Sequence, residues 1–460
     1  MSPDWQALAG SLSGQLLLRG EPGYEAAHQP EIPRFRTIEP SAVVRCEAAE
    51  DAGEAIRFAA RHRLATATRS GGHCFAGRSS TEGMLIDVSP MREVSMEAGV
   101  ATIGAGARLG DLYDALLAHG VTIPAGCGPT VGIAGLVLGG GLGILGRRHG
   151  LTADALVSAR VVLADGRIVD CDAEHEPDLF WALRGGGCEG LGVVTSLLFE
   201  TVAAPDTIVF HLTWPVSAAG QVIDAWQGWA PRGPNELAAS LLIKGPADLE
   251  RPTTVNVFGS LLGGEAEAVE LLDALVAGAG IEPASVSRDP LPFREAKRRL
   301  VEIGEAIGGE TEKSSASDPY SKSEYFPRPL PPEAISALVE HLHGDRMAGQ
   351  VRELDFTPWS GAYNRVASDA TAFVHRDQLF LLKHGAAVDA TAGSTEREAA
   401  RRWLARSWEL VHRWGSGGVY PNFPDPELDD PERAYYGANL ERLRRVRRLY
   451  DPDRLFAARD

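Results

Sequence analysis

The sequence predicts an α+β protein made of a first unit, a second unit inserted into it, and a tail that returns to the first. Three observations carry this. Short β-branched runs alternate with helical periodicity from residue 40 to 200, the composition shifts at Ala203–Pro205, and the last stretch, 418–460, is short, aromatic and arginine-rich. The length of 460 residues leaves room for such units at roughly 150 residues per domain.

In the first unit, Ala42–Cys46 reads as a strand and Glu47–His62 as a helix, with Ala52, Ile56 and Ala59 on one face. Ala65–Arg69 leads into a glycine turn, Met84–Asp87 and Ala101–Gly104 are strands, and Leu109–Ala118 is a helix. Val157–Leu163 and Arg167–Asp170 flank Asp165-Gly166, the signature of a tight hairpin, and Val193–Glu200 is a further strand. In the second unit, strands are expected at Val209–Thr213, Leu237–Ile243, Thr253–Gly259, Val351–Trp359 and Thr371–Leu382. Helices are expected at Glu265–Gly278, Pro332–Leu342 and Ser394–Trp414, and the polar segment Gly308–Tyr320 reads as a loop or lid. The expected boundaries are 1–204, 205–414 and 415–460.

Composition excludes several functions. With 45 Lys+Arg against 62 Asp+Glu, the formal charge of −17 disfavours nucleic acid and anionic membranes as partners. The lysines are Lys244, Lys297, Lys313, Lys322 and Lys383, so Schiff-base chemistry in the first half is excluded. Five cysteines (Cys46, Cys74, Cys127, Cys171 and Cys188) form no C-x-x-C pair, which suggests neither a disulfide framework nor a metal site. No apolar stretch reaches membrane-spanning length and the N-terminus lacks signal-peptide character, so a cytoplasmic protein acting on a small molecule is expected; oligomeric state is left open.

The 51 glycines concentrate in Arg69-Ser70-Gly71-Gly72-His73, in Gly126-Cys127-Gly128-Pro129-Thr130-Val131-Gly132 and in Gly139-Gly140-Gly141-Leu142-Gly143. Such runs let backbone N–H groups approach a phosphate. None fits G-x-G-x-x-G in a βαβ unit, so a Rossmann site is disfavoured.

These runs, with Asp178–Gly187, resemble the FAD-binding domain of the vanillyl-alcohol-oxidase (PCMH-type) superfamily. Tyr420-Pro421-Asn422-Phe423-Pro424-Asp425, Tyr435–Leu443 and Tyr450-Asp451-Pro452 resemble the tail of its berberine-bridge-enzyme-like branch. The resemblance implies a two-part FAD-binding domain with an inserted substrate domain of antiparallel sheet covered by helices. It implies FAD attached through His73, with Cys127 as a second possible link, although Gly128 stands where relatives with two bonds carry cysteine. The cofactor contacts it implies are Arg69, Ser70, Gly71, Gly72, Gly77, Gly128, Thr130, Val131, Gly132 and Gly135. Gly139, Gly140, Gly141, Gly143, Val193, Tyr420 and Asn422 complete that set.

The resemblance also implies an oxidase: a hydride passes from an alcohol to the flavin, which O₂ reoxidises to give H₂O₂. C–N oxidation, oxidative cyclisation and a flavin-free binding protein on the same scaffold are the alternatives. Such an oxidation needs a base for the O–H proton. Tyr420 is the first candidate, provided that donors or positive charge surround its phenol. His384 and Tyr363 are secondary candidates. Gly385, Ala386 and Ala387 occupy the place where some relatives carry a glutamate base, so a glutamate at that spot is not expected.

Overall fold

A computed structural model of the chain describes residues 3–187, 190–308 and 317–456. Cys188 and most of the expected lid, residues 309–316, lie outside the described residues; Ser317–Tyr320 open a strand instead of continuing a loop.

The first unit contains two sheets. In the four-stranded one, Ala42–Arg45, Met84–Asp87 and Thr66–Arg69 run parallel, and Gln15–Leu18 is antiparallel at one edge. The helix Ala49–His62 connects two of these strands; Asp51 closes its start by accepting the N–H groups of Glu47 (2.8 Å) and Ala48 (3.2 Å). The five-stranded antiparallel sheet places Val193–Glu200 at its centre, between Val100–Gly104 and Leu156–Val162. The hairpin at Asp165-Gly166 forms as read, with Leu156–Val162 paired to Ile168–Cys171. Tyr420, Tyr435, Tyr436 and Leu443 from the tail share one core with Val44, Ile56, Ile103 and Leu197.

The second unit is a seven-stranded antiparallel sheet. Its order is Ser285–Pro292, Asp206–Pro215, Thr254–Leu261, Leu237–Gly245, Val351–Pro358, Phe380–Asp389 and Ser317–Phe326. Successive side chains of a strand point to opposite faces. On one face Ile208, Phe210, Leu241, Phe356 and Leu382 meet the helices Ala219–Trp229, Pro332–His343 and Ser394–His412 in a second apolar core. The opposite face carries Lys244, Glu353, Asp355 and Lys383, which pair with one another. The helix Phe293–Gly308 lies on this second face. Its Ala296, Leu300 and Ile303 pack with Val209, Cys127 and Ile144.

One sequence expectation fails here. Thr371–Leu382 is not one strand, because pairing begins only at Phe380. The backbone before it is claimed by the first unit: Ala372 N–H bonds Trp181 O (3.1 Å), Phe373 N–H bonds Arg184 O (3.1 Å), and Asn439 Nδ2 donates to Thr371 O (3.1 Å). Tertiary partners override the local β-propensity. Arg376, pinned to Asp154 at 2.7 Å with both side chains buried, anchors the same segment across the two units.

Candidate active site

The strand Thr66–Arg69 delivers the first glycine run to the surface of the first unit. Here Gly71 and Gly132 approach so closely that a Cβ on either would strike the other's backbone, and Ser70 Oγ donates to Ala105 O (2.7 Å). His73 follows immediately, beside Thr130, Glu31 and Arg108. Burial outweighs the Glu31 carboxylate and lowers the imidazole pKa, favouring the neutral ring, and its Nε2 is buried without a hydrogen-bond partner. Gly128, Pro129 and Thr130 are exposed, Val131 half-buried, and Gly135 has open space where a Cβ would stand. A buried imidazole nitrogen without a partner, beside glycine backbone with open space, leaves room and a free ring atom for a flavin, and these residues fit FAD.

Other expected contacts do structural work. Arg69 spends its guanidinium on Ala27 O (3.1 Å), His28 O (2.7 Å), Ser79 O (2.9 Å) and Ser80 Oγ (3.2 Å), so it ties the turn together and has no donor left for a cofactor. Gly72 and Gly77 have positive φ, and Gly77 presses on the Phe35 ring. Gly139, Gly140, Gly141 and Gly143 make room for Asn422, Phe373, Thr152 and the Ala125 carbonyl. Val193 pairs with Val162 inside the sheet. Cys127 turns into the packing around Lys297, whose ammonium also donates to Ala125 O (2.9 Å) and Gly126 O (3.0 Å). Its neighbour Gly128 is the exposed one.

Tyr420 is buried, and its hydroxyl oxygen faces three N–H donors, Gly141 N, Leu142 N and Asn422 Nδ2, each at 3.1 Å. Burial pushes its pKa up to about 12, while these three donors pull it down by stabilising the phenolate. Asn422 is held by Leu136 O at 2.9 Å. The phenol thus has the donors that the sequence argument required. Tyr363 is buried against Trp359 and donates to Gly143 O (3.1 Å). Burial raises its pKa as it does that of Tyr420, but its hydroxyl faces a single N–H donor, Gly143 N at 3.4 Å, instead of three.

His384 is corrected outright: it points to the helix face, with Nδ1 on Ser407 Oγ at 2.8 Å, and burial drives its pKa down to about 3. Its neighbour Lys383 takes the other face. A cavity of about 300 Å³ opens there between His73, Phe75 and Glu31 on one side and Lys244, Glu353, Lys383 and Gly385 on the other. Lys383 Nζ lies 2.8 Å from Glu353 and 3.4 Å from Asp355, and 5.5 Å above the Phe423 ring, which packs edge-on against Tyr420. The two lysines hold Glu353 below the usual carboxylate range, while burial raises Asp355.

Glu353 stands directly opposite Gly385. The chain therefore has no glutamate at 385–387 but supplies a carboxylate to the same place from the adjacent strand. Strand register is not written in a single sequence, so Glu353 and Asp355 were not singled out there. The only signal was Lys383 itself, one of five lysines in the chain.

A family model described as FAD binding domain matches residues 40–172, and one described as berberine and berberine-like matches residues 419–460. The FAD-linked oxidoreductase YgaK of Bacillus subtilis is 32% identical over 453 residues, covering 97% of this chain and 96% of its own. The chain belongs to the berberine-bridge-enzyme-like FAD-linked oxidoreductases. The chitooligosaccharide oxidase of Gibberella zeae is 29% identical over 436 residues, covering 91% of this chain and 86% of its own. The solved structure of glucooligosaccharide oxidase from Acremonium strictum, described by its 6-S-cysteinyl, 8α-N1-histidyl FAD, has a TM-score of 0.86 at 25% identity and covers 98% and 97% of the two chains. This FAD-linked oxidoreductase is therefore an enzyme. Among its described residues, no helix is long and apolar enough to cross a membrane.

Proposed function

We propose that this enzyme oxidises a hydroxyl-bearing carbon of a saccharide or secondary-metabolite alcohol, with FAD linked through His73 and O₂ as the acceptor, releasing H₂O₂. FAD bound there supplies hydride acceptance and electron transfer to O₂. The residues of the chain do the rest. Tyr420 takes the hydroxyl proton, and the N–H groups of Gly141, Leu142 and Asn422 stabilise the phenolate oxygen that does so. Lys383, Glu353 and Lys244 present paired donors and acceptors in the cavity, suited to the several hydroxyls of a polyol. The single observation that carries the reading is the Tyr420 hydroxyl facing three N–H donors, with only the Phe423 ring between it and Lys383 at the cavity that His73 lines. The two oligosaccharide oxidases among the relatives support the substrate class, and the histidyl-linked flavin of one supports attachment at His73.

The test is twofold. Purified protein mixed with a panel of neutral oligosaccharides and alcohols should release H₂O₂ and yield a carbonyl product; an iminium or cyclised product from an amine panel, with none from alcohols, refutes the alcohol reading. Peptide mass spectrometry should find flavin on the peptide containing His73, and a bare peptide refutes the attachment.

A further inference from the structure

Beside the cavity at His73 lies a second, more open one of about 720 Å³, and Tyr320 lines both. Arg34 forms the partition. Its guanidinium donates to the carbonyls of Phe75 and Pro319, two residues of the inner wall, and its outer side lines the second cavity. Arg397, Arg401 and Arg402 line that cavity with it. This is a concentration of positive charge in a chain whose net charge is −17.

The carboxylates nearby do not cancel it. Asp318 is fully buried behind the wall, where it is bound by both Arg34 and Arg397 and fixes their position. Glu427 draws on Arg401 from one side, and Glu398 pairs with Arg401 and Arg402 at 3.5 and 3.4 Å. Four arginines thus face three carboxylates, and only Glu398 among those three lines the cavity. Arg401 and Arg402 remain 49% and 65% exposed, open to a solute. Ser394 and Thr395 on the same wall begin the 19-residue helix Ser394–His412, whose start is already met by the carboxylate of Glu396 in its first turn, so the positive charge of the wall is that of the arginines.

We propose that this arginine-lined cavity is an anion subsite, so that the favoured substrate is a saccharide carrying a carboxylate or phosphate group beyond the hydroxyl that is oxidised. The assignment rests on the oxidase reading for the inner cavity. The anionic group sits against Arg401 and Arg402, competing with the exposed Glu398, while the reacting sugar unit reaches past Tyr320, which lines both cavities, towards His73. Guanidinium forks suit both carboxylate and phosphate.

The experiment measures binding and turnover separately on the flavin-loaded enzyme. Calorimetric titrations with a uronic-acid disaccharide, its neutral counterpart and a hexose phosphate should show at least one anionic probe bound about tenfold more tightly than the neutral one, and the tighter anion identifies the group. The advantage should collapse at about 0.5 M salt. It should also collapse in Arg401→Gln/Arg402→Gln protein whose thermal midpoint matches the parent. Equal binding of all three probes, or a preference indifferent to salt, overturns the subsite. An anionic preference without H₂O₂ release would leave the subsite standing and refute the oxidase reading; H₂O₂ release with no anionic preference does the reverse.

Discussion

Lys383 and His384 are adjacent on one strand and live in unlike surroundings. His384 is buried under the helices on Ser407, and the side chains of Phe380, Leu382, Ala386 and Val388 share its apolar face. Lys383 reaches Glu353 and Asp355 on the face turned to His73. The helix face follows the rule of a folding core, alternating apolar positions sealed by amphipathic helices. The other face gathers two half-buried carboxylates and two lysines, an arrangement that stabilises a fold weakly because desolvation offsets attraction. The difference teaches that the sheet is a partition: one face is built for stability, and the other keeps charge at the cavity that His73 lines.

The largest expected effect tests that division at the tail. Tyr420→Phe should slow anaerobic flavin reduction by about 10² to 10⁴-fold while the protein keeps its flavin, since a positioned base contributes on that order. A reduction rate equal to the parent's removes Tyr420 from proton transfer. On the helix face, Trp226→Ala removes a fully buried indole bonded to Ala239 O (2.9 Å) and should cost about 3–5 kcal/mol of stability by urea denaturation. Turnover of the remaining folded enzyme should stay at the parental rate.

These two sites differ in how legible they were. Tyr420, Asn422 and His73 lie in motifs contiguous in sequence, so their types and order sufficed to nominate them. Met84–Asp87 and Val193–Glu200 are strands with the ends that their apolar runs indicated. Glu353 and Asp355 acquire meaning only from pairing with Phe380–Asp389, which depends on register. His384 was misassigned for the same reason, because alternation is readable in a sequence but the face that meets the site is not. Arg69 misled differently: its position beside the glycine run was right, but its donors go to carbonyls of residues distant in sequence.

Acid titration gives a smaller effect that again separates the faces. Burial lowers His375 to about 4 and His384 to about 3. Between those values and about 6.5 the unfolded chain binds more protons than the folded one, so stability rises with pH. It is fully present above that window and is lost as pH falls through it. His384→Gln should flatten the dependence of the urea midpoint on pH between about 4 and 6.5 and leave turnover intact; an unchanged slope contradicts the assignment.

The smallest effects concern flavin attachment. Cys127→Ala should leave the flavin content and visible spectrum as they are, because the thiol packs by Lys297. Gly128→Cys, whose Cβ would meet only the tip of Val131 at 3.1 Å, should add a second flavin bond, seen as an adduct on that peptide by mass spectrometry. Loss of flavin in Cys127→Ala would reverse the assignment of the two positions.

The most direct test applies one substitution to two neighbours. Val388 belongs to the helix-side core, and its neighbour Ala387 lines the cavity on the opposite face. Ala387→Phe fills the cavity and should cut kcat/KM on the oxidised saccharide by more than about a hundredfold with little change in Tm. Val388→Phe overpacks the core and should cost about 1–3 kcal/mol while folded enzyme turns over normally. Parental kcat/KM in Ala387→Phe would contradict the account, because the substrate would then lie elsewhere.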